Sequence, residues 1–224
     1  MVLAEYEAPV AYSMVAMAAQ MPERRSDAIQ QFMCYWAAFN NIYVTIAERA
    51  GRRARLRRNR DGSIRTRTEG QVSVPEVSTV SEREQLNLAF RQFTEDLKRG
   101  LVEHPSARFF VYRTPSWHGQ RIEQDDRGQR LNGVLNVGYT VDARHPVWTP
   151  IDTVEFEAYQ QGGKTPGRRD VLAKQVLEVL YTVRNNTFHG GKRADDANDN
   201  EVLAKALPLL VMIVKSFVQV ERSA

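Results

Sequence analysis

The sequence predicts a mainly α-helical protein: a helical bundle carrying a small β or irregular insertion at about residues 105–150. Three observations lead there. Apolar residues recur at three- and four-residue spacing over several long runs, the period that gathers them on one helix face. Helix start and stop signals bracket those runs. Composition rich in β-branched and aromatic residues, broken by glycine and proline, is concentrated in the 105–150 stretch.

The elements follow in order. Glu5 to Met21 has an apolar density compatible with a helix that ends before Pro22-Glu23. Ser26-Asp27 then offers an N-cap to a long second helix, in which Ile29, Phe32, Met33, Trp36, Phe39, Asn40, Tyr43 and Ile46 share a face until Gly51. Asparagine is unfavourable in mid-helix, so Asn40 is expected to make a specific hydrogen bond, to a neighbouring helix or to orient a functional loop. Residues 52–80 read as a basic polar loop punctuated by Gly62, Gly70 and Pro75. Ser81 and Glu84 form a capping-box pattern opening a helix through Leu86, Leu88, Phe90, Phe93 and Leu97, with Gly100 as its end or weak point. In the insertion, Phe109-Phe110-Val111-Tyr112 and Val134 to Val141 suggest short strands or irregular structure. Gly162, Gly163, Pro166 and Gly167 mark a turn. A helix from about Arg169 then runs through Val171, Leu172, Val176, Leu177, Val179, Leu180 and Val183 until Gly190-Gly191. A last helix, capped by Asp199 or Asn200, reaches about Glu221, with a kink or a later start at Pro208. Residues 1–224 thus read as one helical domain.

Bulk composition narrows the function classes. Hydrophobic residues make up 42% and charged residues 26% of 224, enough for a sizeable core without staples. A single cysteine, Cys34, excludes a disulfide framework and a cysteine-rich metal site, and its apolar setting predicts a buried thiol. Glu5 and Glu7 stand where a secretory leader carries basic residues, and the apolar run Ala206–Val214 is far shorter than the roughly 20 residues of a membrane span. A cytoplasmic protein with no membrane partner is therefore expected.

Net charge is +4, but it is distributed unevenly. Arg49, Arg52, Arg53, Arg55, Arg57, Arg58, Arg60, Arg65 and Arg67 crowd one segment with little acid to offset them. Such a cluster binds polyanions through counterion release and bidentate phosphate bonding, which makes Arg52, Arg53, Arg55, Arg57, Arg58 and Arg60 candidate RNA contacts. A solvated basic loop is the competing reading.

The chemistry-bearing stretch is Arg184-Asn185-Asn186-Thr187-Phe188-His189. Histidine suits proton transfer in either direction near neutral pH. Arginine offers a permanently charged planar fork to two non-bridging phosphate oxygens. No metal or cofactor is demanded by this set. Positions i and i+5 lie about 140° apart on a helix, so Arg184 and His189 converge only if the helix ends near Phe188 or if a second copy contributes to a shared groove. Without further context, His189 reads as a helix C-cap and Arg184 as a surface arginine.

The Arg-x4-His spacing, the polar Asn185 after the arginine, the position at the end of an apolar helix and the final apolar helix beyond resemble the HEPN superfamily of small helical domains. Trp36-Ala37-Ala38-Phe39-Asn40 also resembles an aromatic–asparagine stretch on an early helix of some members. The resemblance covers roughly 1–50, 80–104 and 168–222. It implies a HEPN-like bundle that forms a homodimer, and metal-independent endoribonuclease activity in a toxin–antitoxin or antiviral system, with Arg184, Asn185 and His189 catalytic. It also implies a possible antitoxin or regulatory partner protein. Some members only bind RNA or nucleotides, so a non-catalytic RNA-binding or regulatory module is the alternative.

Other patterns carry less. Gly162-Gly163-Lys164-Thr165 is not a phosphate loop, because Ala158 stands where the motif needs glycine and the preceding residues are polar. His104, His118 and His145 lack metal-ligand spacing. The glycosylation sequon at Asn185 has no secretory context to act in.

Overall fold

In a computed structural model the chain forms eight helices among the described residues, with three short two-stranded ribbons. The described residues are 1–21, 28–51, 55–56, 59–69, 72–75, 77–78, 80–112, 116–117, 120–121, 151–188 and 197–218. The expected helical class is observed; the Val134–Val141 stretch and the caps at Ser26-Asp27 lie outside these residues.

Helix α1 (Pro9–Ala19) begins with proline, whose missing N–H costs nothing in a first turn. Its Ala11 N–H donates to Asn41 Oδ1 at 3.2 Å, so a side chain of the next helix satisfies a donor that a helix start leaves orphaned. The interhelical bond expected of Asn40 is thus made by its neighbour, Asn41. Helix α2 (Ala28–Arg49) is central, packed against α1, α3, α7 and α8. Phe32, Trp36, Phe39 and Tyr43 recur along its buried face, and each ring meets the next at 5.4–6.3 Å. Burying each such side chain stabilises the fold by about 1.5–3 kcal/mol. Gly51, at φ 72°, follows the helix in the left-handed conformation that glycine adopts without a Cβ penalty. Cys34 is buried, and burial pushes its thiol up from the usual range.

The segment read as a polar loop contains paired strands. β1 (Arg55–Leu56) pairs antiparallel with β4 (Val77–Ser78), and β2 (Thr66–Glu69) pairs with β3 (Val72–Pro75) in the register Thr66↔Pro75 to Glu69↔Val72. The missed signal is the alternation of threonine and valine with polar residues across Thr66–Pro75.

The helix expected to run unbroken from Ser81 is two helices. Ser81 Oγ accepts from Glu84 N–H at 3.2 Å and opens α3 (Glu82–Phe90), as the capping pattern predicts. Thr94 Oγ1 accepts from Leu97 N–H at 3.2 Å and opens α4 (Glu95–Glu103), which runs through Gly100. The two helices approach closely there: a Cβ on Gly100 would lie 3.1 Å from the flexible Met212 thioether sulfur of the last helix.

Residues 109–112 are helical rather than strand-forming. Helix α5 (Pro105–Tyr112) buries Ala107, Phe110 and Val111, a three- and four-residue spacing that packs on the last helix. β5 (Ser116–Trp117) and β6 (Gln120–Arg121) form a minimal antiparallel pair. An unexpected helix α6 (Thr153–Gln160) is capped by Asp152 and packs on α7 (Pro166–Phe188). Helix α8 (Ala197–Phe217) begins well before Pro208 and runs through it, so there is no later start. Its end meets the N-terminal segment, with Leu3 N–H donating to Phe217 O at 2.7 Å. Among the described residues no helix is long and apolar enough to cross a membrane.

Candidate functional site

Three helices bring their ends and faces together around Arg184. Val176, Leu177, Leu180 and Val183 fix α7 in the core, leaving Arg184 and Asn185 half-buried toward the last described residues of the helix. Tyr181, three residues earlier, lies on the same helical face. Glu82 is the first residue of α3, where the positive end of the helix dipole favours a carboxylate. Trp36 and Tyr43 come from α2, two turns apart on one face.

The polar contacts centre on Glu82. Tyr43 Oη donates to its Oε1 at 2.5 Å and Tyr181 Oη donates to its Oε2 at 3.1 Å. Arg184 spans both oxygens, with Nη1 3.4 Å from Oε2 and Nη2 3.4 Å from Oε1. Nη1 also donates to Asn185 Oδ1 at 2.7 Å. The guanidinium carbon sits 5.9 Å from the Trp36 ring and 6.0 Å from the Tyr181 ring, within cation–π range. Burial, then the hydrogen bond to Glu82, holds the Tyr43 phenol far above its usual range, so it remains a donor at any physiological pH. Trp36 Nε1 is buried without a hydrogen-bond partner among the described residues.

Arg184 is therefore no ordinary surface arginine: its side chain is 19% exposed and sits in a built charge cluster. The structure brings Arg184 and Asn185 together, and α7 is described as far as Phe188. His189 itself lies outside the described residues. Glu82, Tyr43 and Tyr181 had not been read as parts of a site. A signal for Glu82 was present, since it lies inside the Ser81–Glu84 capping pattern, but only tertiary packing places it 102 positions from Arg184 in sequence and beside it in space.

The arginine cluster is only partly described. Arg55 lies in β1, Arg60 is exposed in the turn before β2, and Arg52, Arg53, Arg57 and Arg58 lie outside the described residues. That turn is closed by Asn59 N–H donating to Ser63 O at 2.8 Å, with Gly62 at φ 85°.

Away from Arg184, a concavity of about 500 Å³ lies among α4, α5 and α6 and is lined by Glu103, His104, Arg108, Tyr112, Phe156 and Glu157 among others. Neither Arg184 nor Asn185 lines it. His104 has a local task there: its Nδ1 accepts from Ser106 N–H at 3.1 Å in the first turn of α5. No group of three His, Cys, Asp or Glu side chains able to hold a metal occurs among the described residues.

Fold and site together define a helical protein with a largely buried arginine on α7 paired with a carboxylate at the start of α3. Compared with family models, curated proteins and solved structures, the chain finds no match.

Proposed function

We propose that this chain is a metal-independent endoribonuclease of the HEPN type. The observation that carries the reading is the Arg184 guanidinium held beside Asn185 in the last described part of α7, in contact with Glu82 and flanked by two aromatic rings. A phosphate-binding arginine gains most when its fork is fixed before substrate arrives, because no ordering cost is then met in the transition state.

In this reading the RNA 2′-hydroxyl oxygen attacks the adjacent phosphorus and the P–O5′ bond breaks. His189 transfers a proton, either from the 2′-hydroxyl or to the departing O5′, and the same motif of a second copy serves the other step. Arg184 stabilises the phosphorane oxygens and Asn185 positions the fork. The products are a 2′,3′-cyclic phosphate and a 5′-hydroxyl. The HEPN resemblance adds a homodimer acting as a cytoplasmic toxin or antiviral effector, restrained by an antitoxin-like partner. Incubating the protein with RNA in EDTA and analysing the new ends tests the proposal: cyclic phosphates are expected, and their absence at high protein concentration contradicts it.

One observation favours a second reading. An arginine already paired with a carboxylate serves a structural ion pair equally well, and a non-catalytic RNA-binding or regulatory module then relies on the basic segment around β1. That protein binds RNA, with strong salt dependence, and leaves it intact.

A further inference from the structure

The grip on Glu82 is unequal. The two phenols hold its carboxylate at 2.5 and 3.1 Å, whereas Arg184 lies across both oxygens at 3.4 Å. The carboxylate is thus fixed by α2 and α7 and by its place at the start of α3, and the guanidinium lies against that fixed group. Each of the three helices supplies one constraint: Tyr43 from α2, Glu82 from α3, Tyr181 from α7.

We infer that Glu82, clamped by Tyr43 and Tyr181, is the positioning residue that sets the plane of the Arg184 guanidinium for an RNA phosphate. This deepens the proposed nuclease reading and rests on it for its consequence in catalysis. The geometry supports it in three ways. The two-oxygen, two-nitrogen arrangement fixes a plane, which a single hydrogen bond does not. The rings of Trp36 and Tyr181, 5.9 and 6.0 Å away, restrict rotation out of that plane. Asn185 Oδ1, 2.7 Å from Nη1, supplies a further contact on the same nitrogen from the motif itself. Glu82 also sets a negative charge against that of Arg184 before substrate binds. The arginine therefore acts through direction as well as charge, and its placement is what a carboxylate-to-amide change disturbs.

The test compares Glu82→Gln, Tyr181→Phe and Arg184→Ala with the parent, using RNA cleavage kinetics, thermal melting and the guanidinium N–H resonances of Arg184, assigned through their loss in Arg184→Ala. Glu82→Gln is expected to lower kcat by about 10²-fold, the scale of a misplaced catalytic group, with a smaller change in KM. Its Arg184 Nη resonances, separate in the parent, are expected to average together. Tyr181→Phe, which removes one hydroxyl and keeps the ring, is expected to show a smaller loss of the same kind and serves if Glu82→Gln fails to fold. A Glu82→Gln protein, or a Tyr181→Phe protein in its place, that melts lower but keeps its kcat overturns the inference: Glu82 then only ties α3 to α7. If no protein, the parent included, cleaves RNA, the nuclease reading fails separately, and the resonances decide the positioning claim. Averaging in Glu82→Gln or Tyr181→Phe upholds it, and an unchanged pattern overturns it.

Discussion

Arg184 on α7 and Glu82 at the start of α3 face each other as a two-point pair, both nitrogen–oxygen separations being 3.4 Å. Residues so distant in sequence are joined because α2 packs against both helices and supplies Trp36 and Tyr43 to the same spot. The pair turns an arginine that a sequence motif singles out into one with a defined orientation. Its partners also give the competing structural reading a physical form, so the two readings differ in what RNA does when it meets the protein.

RNA binding through the arginine-rich segment is expected to weaken linearly with the logarithm of salt concentration. Each arginine–phosphate contact contributes about 0.7 to the slope on single strands. Replacing Arg57, Arg58 and Arg60 with alanine is expected to reduce that slope by about 2, as measured by fluorescence anisotropy over a salt series. An unchanged slope shows that this segment does not touch the phosphates.

Gly100→Ala is expected to stabilise the protein by about 0.5 kcal/mol, since glycine within a helix costs about 0.5–1 kcal/mol relative to alanine. The added Cβ meets only the flexible Met212 thioether, at 3.1 Å, and that chain can yield a few tenths of an ångström. Gly100→Val goes too far and is expected to destabilise. Urea midpoints report both signs, and a destabilised alanine variant shows that α4 and α8 are too tightly packed to adjust.

Stability is expected to fall as pH drops through the histidine range. Burial holds the His104 imidazole below its usual range, so the unfolded chain takes up a proton before the folded one does. The contribution is fully present above the unfolded pKa of about 6.5 and is lost as pH falls through the lower folded value. Protonation also removes the Nδ1 acceptor of the Ser106 N–H bond, a cap worth about 1 kcal/mol. His104→Asn keeps an acceptor without titrating and is expected to flatten the urea midpoint between pH 7.5 and 5. An equally steep dependence in that variant assigns it elsewhere.

Long amphipathic helices were legible in the sequence. The Phe32–Ile46 face of α2 and the Leu172–Val183 face of α7 repeat often enough to fix both type and burial. The break between α3 and α4 was not, because Leu86, Phe90, Phe93 and Leu97 keep a helical period across the turn and only the Thr94 cap betrays it. Phe109 to Tyr112 show composition yielding to context: β-prone residues become a helix because Ala107, Phe110 and Val111 pack together against α8. At the candidate site, spacing picked out Arg184 and Asn185, whereas the carboxylate and phenols around them are brought there by packing between helices that no local pattern reports.

The most direct measurement is cleavage of RNA in EDTA by the parent protein and by folded His189→Ala and Arg184→Ala variants at matched concentration. Cleavage by the parent to 2′,3′-cyclic phosphate ends, with a loss of at least about 10²-fold in each variant, is the result expected of a proton-transfer group and an oxyanion stabiliser. A well-folded His189→Ala protein that cuts RNA as fast as the parent contradicts the mechanism.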